Sequence, residues 1–361
     1  MTKIRLIKLV DRLLGRLLVL LLSFFKAERD GAQLLVRNVL FIRPGGIGDA
    51  VLLVPAIKAL KIKYPGAEID ILCEKRNSGI FGMINGLRRV YLYDRGADLL
   101  RCISSQYDVV VDTEQWHRMS AVIAFMTRAG IRIGFGTNDR SKLFTHTVEY
   151  DHDDNEVKSF YRLLEQIEVP HSEALPDVPF LDIEAAEAGK YVEDTIGSNI
   201  DVVAIFPGAT VRERRWGGER YGEVAKNLNE RGYRIVLLGT SDEKEDALKI
   251  RQQVRGAVDL TGLTTLREVA YVLKNSALLI TADSGLMHMA YALGAPTVSI
   301  FGSGIEKKWA PRGECHEVVN KRLDCSPCTR FGYTPSCDKG IRCLSEILPE
   351  DVIEATDKLL K

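Results

Sequence analysis

Short apolar runs alternate with stretches of helical spacing along most of this chain. In the first half, the runs predict strands at 39–42, 69–72, 90–93, 109–112 and 131–135. A helix is predicted after the first of them, from residue 50 to 64. Strands that alternate with helices are typical of a mainly parallel sheet covered by helices. The pattern therefore predicts an α/β domain.

The alternation starts again after a polar stretch. A polar interval at 138–156 and a predicted helix at 157–167 lead to a linker rich in proline and acidic residues at 170–182. Beyond it, the apolar runs predict strands at 202–206, 234–238, 257–260, 278–281 and 297–301, and a last helix at 349–359. Two α/β domains on a linker would face a central cleft, the usual position of a ligand.

Length and composition agree with this division. A chain of 361 residues is long enough for two cores, and 46% hydrophobic with 27% charged residues is the content of a folded protein. We expect four segments: 1–33, basic and amphipathic; 34–178, the N-terminal domain; 179–345, the C-terminal domain; and 346–361, a closing helix. The 49 basic and 49 acidic residues balance, so the net charge gives no overall attraction to nucleic acid.

The first segment mixes Lys and Arg with Leu, Ile and Phe. Its uninterrupted apolar part, 17–25, is about half of what a membrane-spanning helix needs. A signal peptide is an alternative, but 26–29 offers no small-x-small cleavage site. We expect a helix in the surface of the cytoplasmic leaflet; a helix packed on the rest of the protein is the other interpretation. The residues expected to face anionic head groups are Lys3, Arg5, Lys8, Arg12 and Arg16.

A glycine-rich turn follows the first predicted strand. Gly45, Gly46 and Gly48 allow a tight turn with close backbone approach, and Asp49 stands at the start of the next helix. Asp49 is either a functional carboxylate or only the N-terminal cap of that helix. The spacing is not G-x-G-x-x-G, which argues against a dinucleotide site, although Glu74 after the second strand keeps a dehydrogenase as an alternative.

Two loops of the second half suit a diphosphate. The segment FPGATVRERRW, 206–216, follows a strand and carries three arginines, whose planar groups grip phosphate oxygens in pairs. Arg212 and Arg215 are as well explained by a solvated loop. In LITADSGLMHM, Asp283-Ser284-Gly285 precedes a helix near Leu286, whose free amides form an anion site. His288, on that helix, is either a buried, satisfied histidine or a binding residue.

Four segments, in this order, resemble glycosyltransferase family 9, the ADP-heptose:lipopolysaccharide heptosyltransferases, from about Arg37 to the carboxyl end. They are IRPGGIGDAVLLVPAIKALKIKYPGAEI, VDTEQWHRMSAVIAFMTRAGIRIGF, FPGATVRERRWGGERYGEVAKNL and TADSGLMHMAYALGAPTVSIFG. The resemblance implies the GT-B fold, in which two Rossmann-like α/β domains face a central cleft. It also implies an N-terminal domain that binds the acceptor and a C-terminal domain that binds the nucleotide sugar.

The resemblance implies roles for single residues. Asp49 matches the family's catalytic base, and Arg214 stands where a lysine usually holds the donor phosphates, which keeps the charge but changes the geometry. The family's D-[ST]-G motif is matched by Asp283, Ser284 and Gly285, on the donor side. The residues expected on the acceptor side are Gly45, Gly46, Gly48, Asp112, Arg118 and Ser120. The nucleotide base is expected near Thr261, Gly262 and Thr264, at the end of another predicted strand.

The expected reaction is an inverting transfer in one displacement, with heptose from ADP-heptose and a lipopolysaccharide core or related glycolipid as acceptor. No metal is expected to be required, since no D-x-D pair stands where it would hold a diphosphate-bound metal; 151–154 lies in a polar interval. A protein at the inner face of the inner membrane is implied. The alternatives are a family member that uses another nucleotide sugar for a surface polysaccharide, and a nucleotide-binding protein without catalysis.

Four of the seven cysteines are clustered in the sequence: Cys325, Cys328, Cys337 and Cys343. The spacing C-x2-C-x8-C-x5-C suits a structural zinc, an iron-sulfur cluster, or reduced thiols that pack a loop. Disulfides are not expected in a cytoplasmic protein. The sequence leaves these alternatives open.

Overall fold

The computed structural model describes residues 11–25, 36–170, 181, 194–197, 201–330 and 333–360. The chain divides into two compact units, Met1–Pro176 and Asp177–Lys361. Each unit has its own parallel sheet, packed against helices. The predicted linker at 170–182 lies outside the described residues, except for its first residue and Leu181.

In the described part of the first unit, six strands form one parallel sheet in the order β3-β2-β1-β4-β5-β6. The strands are β1 (Asn38–Arg43), β2 (Glu68–Cys73), β3 (Leu87–Leu92), β4 (Val109–Asp112), β5 (Ile131–Phe135) and β6 (His146–Val148). The chain proceeds outward from β1 in one direction and then returns to its other side with β4. In open α/β sheets, ligands bind at the carboxyl ends of the strands where this change of direction occurs.

The helices of this unit are α1 (Arg16–Ser23), α2 (Ile47–Lys63), α3 (Ser78–Phe81), α4 (Gly96–Ser104), α5 (Arg118–Met126) and α6 (Glu156–Glu165). A 3₁₀ turn, Asp139–Leu143, precedes β6. Helix α2 is apolar over most of its circumference, and it is correspondingly buried from Ala50 to Ile57. It begins three residues earlier than predicted because Ile47 and Gly48, at the end of the glycine turn, are already helical.

In the described part of the second unit, six strands again form a parallel sheet, in the order β12-β11-β10-β7-β8-β9. The strands are β7 (Val202–Phe206), β8 (Arg234–Leu237), β9 (Val258–Asp259), β10 (Leu278–Ala282), β11 (Thr297–Ile300) and β12 (His316–Val319). The direction of winding changes between β7 and β10. The loops that follow these two strands therefore meet at one edge of the sheet.

The helices of the second unit are α7 (Gly218–Glu230), α8 (Lys244–Gln253), α9 (Leu266–Lys274), α10 (Gly285–Ala292), α11 (Glu306–Trp309), α12 (Arg342–Ser345) and α13 (Pro349–Leu359). Short 3₁₀ turns occur at Arg212–Arg214 and Ser241–Glu243. Trp216 is buried in the core, where its indole N–H donates to the carbonyl of Ile347 (3.0 Å) and its ring meets Tyr221 edge-on.

The predicted alternation is confirmed, and the last helix occupies its predicted positions. Two strands were missed, β6 and β12, both at sheet edges. Their sequences, HTV and HEVV, are short and only partly buried, so they lack a continuous apolar run. The strand predicted at 90–93 is Leu87–Leu92, because an edge strand tolerates Arg88 and Arg89 at its start.

The described part of the N-terminal segment is a π-helical turn, Asp11–Gly15, followed by α1. Val19 is buried against the core of the first unit. One Asp11 oxygen accepts hydrogen bonds from the N–H groups of Arg118 and Met119, each at 2.9 Å, at the start of α5. Lys3, Arg5 and Lys8 lie outside the described residues. No helix among residues 11–25 or the other described ranges has the length and apolar character needed to cross a membrane.

Candidate active site

Asp49 lies in the first turn of α2, directly after the glycine turn that ends β1. Gly46 is the helix N-cap, and Gly45 has φ +117°, a backbone conformation that L side chains rarely adopt. A Cβ on either glycine would lie 3.8 Å from Asp49 Oδ2, so the turn lies directly beside this carboxylate. The Asp49 side chain is 34% exposed. A ligand can therefore reach it.

Arg43, the last residue of β1, lies behind Asp49 with 1% of its surface exposed. Its Nη2 is 3.7 Å from Asp49 Oδ2 and 3.5 Å from Oε2 of Glu114, which follows the neighbouring strand β4. Burial alone would lower the pKa of Arg43, but Asp49, Glu114 and further carboxylates raise it, and the net pKa is raised. The guanidinium is thus a fixed cation between two carboxylates.

Asp112, the last residue of β4, is fully buried. One of its oxygens accepts from Nη2 of the equally buried Arg140 at 2.5 Å, and the other accepts from the N–H of Glu114 at 3.1 Å. Burial raises the pKa of Asp112, and the charge of Arg140 opposes that rise. Arg140 also donates to Ser120 Oγ (3.1 Å) and to the carbonyl of Glu114. Asp112 and Ser120 therefore hold Arg140, which braces the backbone beside Glu114.

Arg118, the first residue of α5, is mostly buried. Its Nε is 2.6 Å from Asp139 Oδ1, on the 3₁₀ turn. The structure therefore gathers Asp112, Arg118 and Ser120 around the start of α5, on the β4 side of Asp49. The assignment of these residues to the acceptor side stays a prediction.

In the second unit, Arg214 and Asp283 meet where the loops after β7 and β10 converge. Arg214 Nη1 lies 3.0 Å from Asp283 Oδ2, and the guanidinium stacks over the ring of Trp309 with 5.5 Å to its centroid. Arg214 Nε and Asp283 Oδ2 are both buried, and neither atom makes a hydrogen bond within the described part of the chain. Arg212 and Arg215 are exposed, as the solvated-loop interpretation predicts.

Ser284 is the N-cap of α10, and its Oγ accepts from the N–H of Met287 (3.3 Å) and contacts Thr281 Oγ1 (3.0 Å). The first amides of α10 therefore stand beside Asp283 and Arg214. His288 is buried in this helix, and burial lowers its pKa to about 4; the charge of Asp283 opposes this effect and that of Arg214 reinforces it. His288 is thus neutral at pH 7.

The residues expected near the nucleotide base follow β9. Thr261 is buried, and its N–H and hydroxyl both donate to Asp259 Oδ1, at 3.0 and 2.7 Å. Gly262 has φ +72° and donates to the carbonyl of Gly239 at 2.8 Å. Thr264 Oγ1 is buried without a hydrogen-bond partner among the described residues.

The four clustered cysteines are free thiols. Burial raises the pKa of Cys343 to about 11, and Cys325, Cys328 and Cys337 add to the rise because they lie nearby. Even so, no three His, Cys, Asp or Glu side chains in the described ranges are arranged to hold a metal ion. A structural metal at these cysteines stays one of the open alternatives.

Arg43 and Glu114 were not predicted as site residues. Arg43 carried a signal, since it is the one charged residue after the apolar run VLFI and directly before the glycine turn. Glu114 carried none, because its approach to Arg43 depends on β4 lying beside β1. An open groove of about 560 Å³ lines the amino-terminal ends of β1 and β2, at the opposite edge of the sheet from Asp49, and takes no part in this site.

Three kinds of comparison with known proteins agree. The family model of glycosyltransferase family 9 (heptosyltransferase) matches residues 98–335. Lipopolysaccharide heptosyltransferase 3 of Escherichia coli strain K12 is 25% identical over an alignment of 334 residues, and the alignment covers 87% of this chain and 95% of that protein.

Two solved structures have a similar fold. The family 9 glycosyltransferase of Veillonella parvula superposes with a TM-score of 0.77 at 20% identity, covering 91% of this chain and 99% of that one. The E. coli ADP-heptose lipopolysaccharide heptosyltransferase II superposes with a TM-score of 0.73 at 22% identity, covering 90% and 98%. The predicted fold class, two Rossmann-like α/β domains of the GT-B type, is confirmed by these similarities and by the two parallel sheets.

Proposed function

Since this chain belongs to glycosyltransferase family 9, the heptosyltransferase family, we propose that it transfers heptose from ADP-heptose to a lipopolysaccharide core or a related glycolipid. The observation that carries the proposal is the meeting of Arg214 and Asp283 at the start of α10. A fixed cation beside free helix amides is an anion site, and a nucleotide sugar presents a diphosphate.

The donor-side residues stabilise the departing diphosphate. In the structure, Arg214 is paired with Asp283, and its Nε still lacks a hydrogen-bond partner within the described chain. The diphosphate accepts from this guanidinium and from the amides of Ser284 and Gly285 as its negative charge grows. Each well-placed donor of this kind contributes roughly 3 kcal/mol to transition-state stabilisation. Asp283 accepts hydrogen bonds from sugar hydroxyls, and Thr264 supplies its buried hydroxyl near the nucleotide.

The acceptor-side residue that does chemistry is Asp49. Its carboxylate accepts the proton of the acceptor hydroxyl, and the oxygen then attacks the anomeric carbon while the bond to the diphosphate breaks. Attack opposite the leaving group inverts the anomeric centre in one displacement. Arg214 and the helix amides supply the positive charge at the leaving group, so no step of this scheme requires a metal ion.

We also propose that the protein works at the cytoplasmic face of an anionic membrane. Leu17, Leu20 and Leu21 of α1 are about half exposed, and Phe24 and Phe25, directly after it, are about three-quarters exposed. Val19 and the Asp11 contacts fix this helix to the first unit, so the apolar face has a defined position. Exposed apolar and aromatic side chains next to basic ones are typical of interfacial helices. A glycolipid acceptor lies in the same surface.

The test compares two substitutions. Asp49→Asn is expected to lose at least about 100-fold in transfer rate, the lower range for a general base, while calorimetry with ADP gives nearly unchanged affinity. Arg214→Ala is expected to weaken ADP binding at least tenfold, whereas the exposed neighbour Arg212→Ala leaves it within about twofold. An active Asp49→Asn enzyme removes the proposed base.

The alternatives give different outcomes in a thermal-shift screen with ADP, UDP, GDP and CMP. A ligand that binds only the folded state raises the unfolding temperature. The largest shift with ADP supports the proposal, and a larger shift with another nucleotide indicates another donor. ADP binding without transfer to any purified core glycolipid would favour the non-catalytic alternative.

A further inference from the structure

Arg43 is a buried guanidinium held rigidly by the backbone. Its Nε donates to the carbonyl of Pro44 at 2.9 Å, and its Nη1 donates to the carbonyl of Thr113 at 2.8 Å. The ring of Phe160 covers the group, with 5.8 Å from Cζ to the centroid. These contacts use two of the three nitrogens and leave Nη2 for the carboxylates of Asp49 and Glu114. The planar fork sets the direction of that third nitrogen.

Glu114 is buried and ionised. Its Oε1 accepts from the N–H groups of Gln115 and Trp116, at 3.1 and 3.0 Å, while Oε2 faces Arg43 at 3.5 Å. Burial works to raise the pKa of Glu114, but Arg43, His117, Arg140 and these backbone groups outweigh it, and the pKa is lowered. Arg43 is therefore shared between the buried carboxylate of Glu114 and the partly exposed carboxylate of Asp49.

We infer that Arg43 and Glu114 together position the Asp49 carboxylate and balance the charge beside it. Arg43 Nη2 attracts the Asp49 carboxylate from 3.7 Å, and Glu114 Oε2, 3.5 Å from the same nitrogen, offsets part of this positive charge. A lone cation at this distance would make Asp49 a weaker base. The inference rests on the proposed role of Asp49, and Arg43 and Glu114 act as positioning residues.

Other charged groups face this centre. The charges of Glu156 and Asp112 interact with Arg43, and those of Arg140 and His117 interact with Glu114. Tyr150 interacts electrostatically with both Asp49 and Arg43. Glu156 accepts from Gln115 Nε2 at 2.6 Å and from the hydroxyl of Tyr150 at 2.8 Å. All of these groups stay in place in the variants below, so a difference between variants isolates the Arg43–Glu114 pair.

The test is the pH dependence of kcat. A base must be deprotonated, so activity falls as the pH drops through its apparent pKa. Glu114→Gln keeps the shape of the side chain but removes the negative charge that competes with Asp49 for Arg43. We therefore expect the acid limb of the pH profile of kcat to move down by about one pH unit. The weaker base should also lower kcat on the plateau severalfold. Arg43→Met should move the acid limb up by a similar amount, and Arg43→Lys should restore part of the shift.

Controls separate this effect from damage to the fold. Glu165→Gln removes an exposed carboxylate of the same unit and should leave the acid limb in place. Each variant should keep the ADP affinity and circular dichroism of the parent. If Arg43→Met does not fold, the opposite shifts of Glu114→Gln and Arg43→Lys relative to the parent remain measurable.

Opposite shifts of the acid limb support the inference. The inference is overturned if the acid limb does not move in these variants, or if it moves in the same direction for the Glu114 and Arg43 variants. Failure of the proposed function is distinguishable, because it would appear as an active Asp49→Asn enzyme. An inactive Asp49→Asn enzyme with unmoved limbs would reject only the tuning role.

Discussion

Three buried charged residues of this protein lie where strands end. Arg43 ends β1, Asp112 ends β4, and Asp283 follows β10 by one residue. Each is held by an opposite charge or by backbone groups, as buried charges must be. The carboxyl ends of parallel strands share one edge of a sheet, so Arg43 and Asp112 lie at the same edge of the first sheet although they are far apart in the sequence. Asp283 lies at the corresponding edge of the second sheet.

The buried side chain of His288 leads to a prediction about the pH dependence of stability. The pKa of His288 is about 4 in the folded protein and near 6.5 in the unfolded chain, so the unfolded chain binds its proton more tightly. The contribution of neutral His288 to the free energy of unfolding is therefore complete above pH 6.5 and is lost as the pH falls toward 4. Between pH 7 and 4.5, His288 should account for roughly 2 kcal/mol of lost unfolding free energy.

Urea unfolding of the parent and of His288→Gln at both pH values measures this contribution. His316, whose pKa is also lowered to about 4 by burial, is present in both proteins and cancels in the comparison. An equal loss of unfolding free energy in the two proteins would contradict the prediction.

At the scale of elements, the central strands and their following helices were predictable and the edges were not. Strands such as β1 and β7 are buried on both faces and appear as continuous apolar runs. The edge strands β6 and β12 have one side against solvent, so their side chains follow no strict pattern. Burial, which depends on the neighbours, decides how clearly a strand can be recognised.

One glycine in β5 shows how closely the elements pack. A Cβ on Gly134 would lie 2.3 to 2.7 Å from ring atoms of Phe144, which is buried at the end of the 3₁₀ turn. We expect Gly134→Ala to lower the unfolding free energy by about 2 kcal/mol, since the ring or the strand must move.

Gly66→Ala is the matched control, because nothing lies within 4 Å of its added Cβ. It should change the unfolding free energy by less than about 0.5 kcal/mol. Denaturant unfolding of both variants provides the comparison, and similar values for the two would show that the β5 contact is easily relaxed.

At the scale of the whole molecule, the prediction is attachment to anionic membranes. Leu17→Gln, Phe24→Gln and Phe25→Gln, combined, should reduce sedimentation with anionic vesicles at least tenfold, because they remove apolar surface that would enter the interface. Ile62→Gln and Leu100→Gln, combined, remove equally exposed apolar residues elsewhere in the first unit and should bind vesicles as the parent does.

The parent should bind more weakly to vesicles of neutral lipid, and more weakly to anionic vesicles at high salt, because the basic residues of segment 1–33 are expected to contribute electrostatically. Equal binding of the α1 variant and the parent to anionic vesicles would reject the membrane role of this helix.

The local structure and the chemistry of the motifs could be predicted from the amino-acid sequence alone. Apolar periodicity is a local property, so it fixed the α/β alternation, and the glycine turn with Asp49 and the Asp283-Ser284-Gly285 helix start were recognisable without the fold. The sheet order was not encoded in any local pattern. It brings β4 beside β1 and β10 beside β7, and only this pairing places Glu114 against Arg43 and Asp283 against Arg214. The charge environments of both sites were therefore decided by tertiary structure, because electrostatic interactions depend on distance in space.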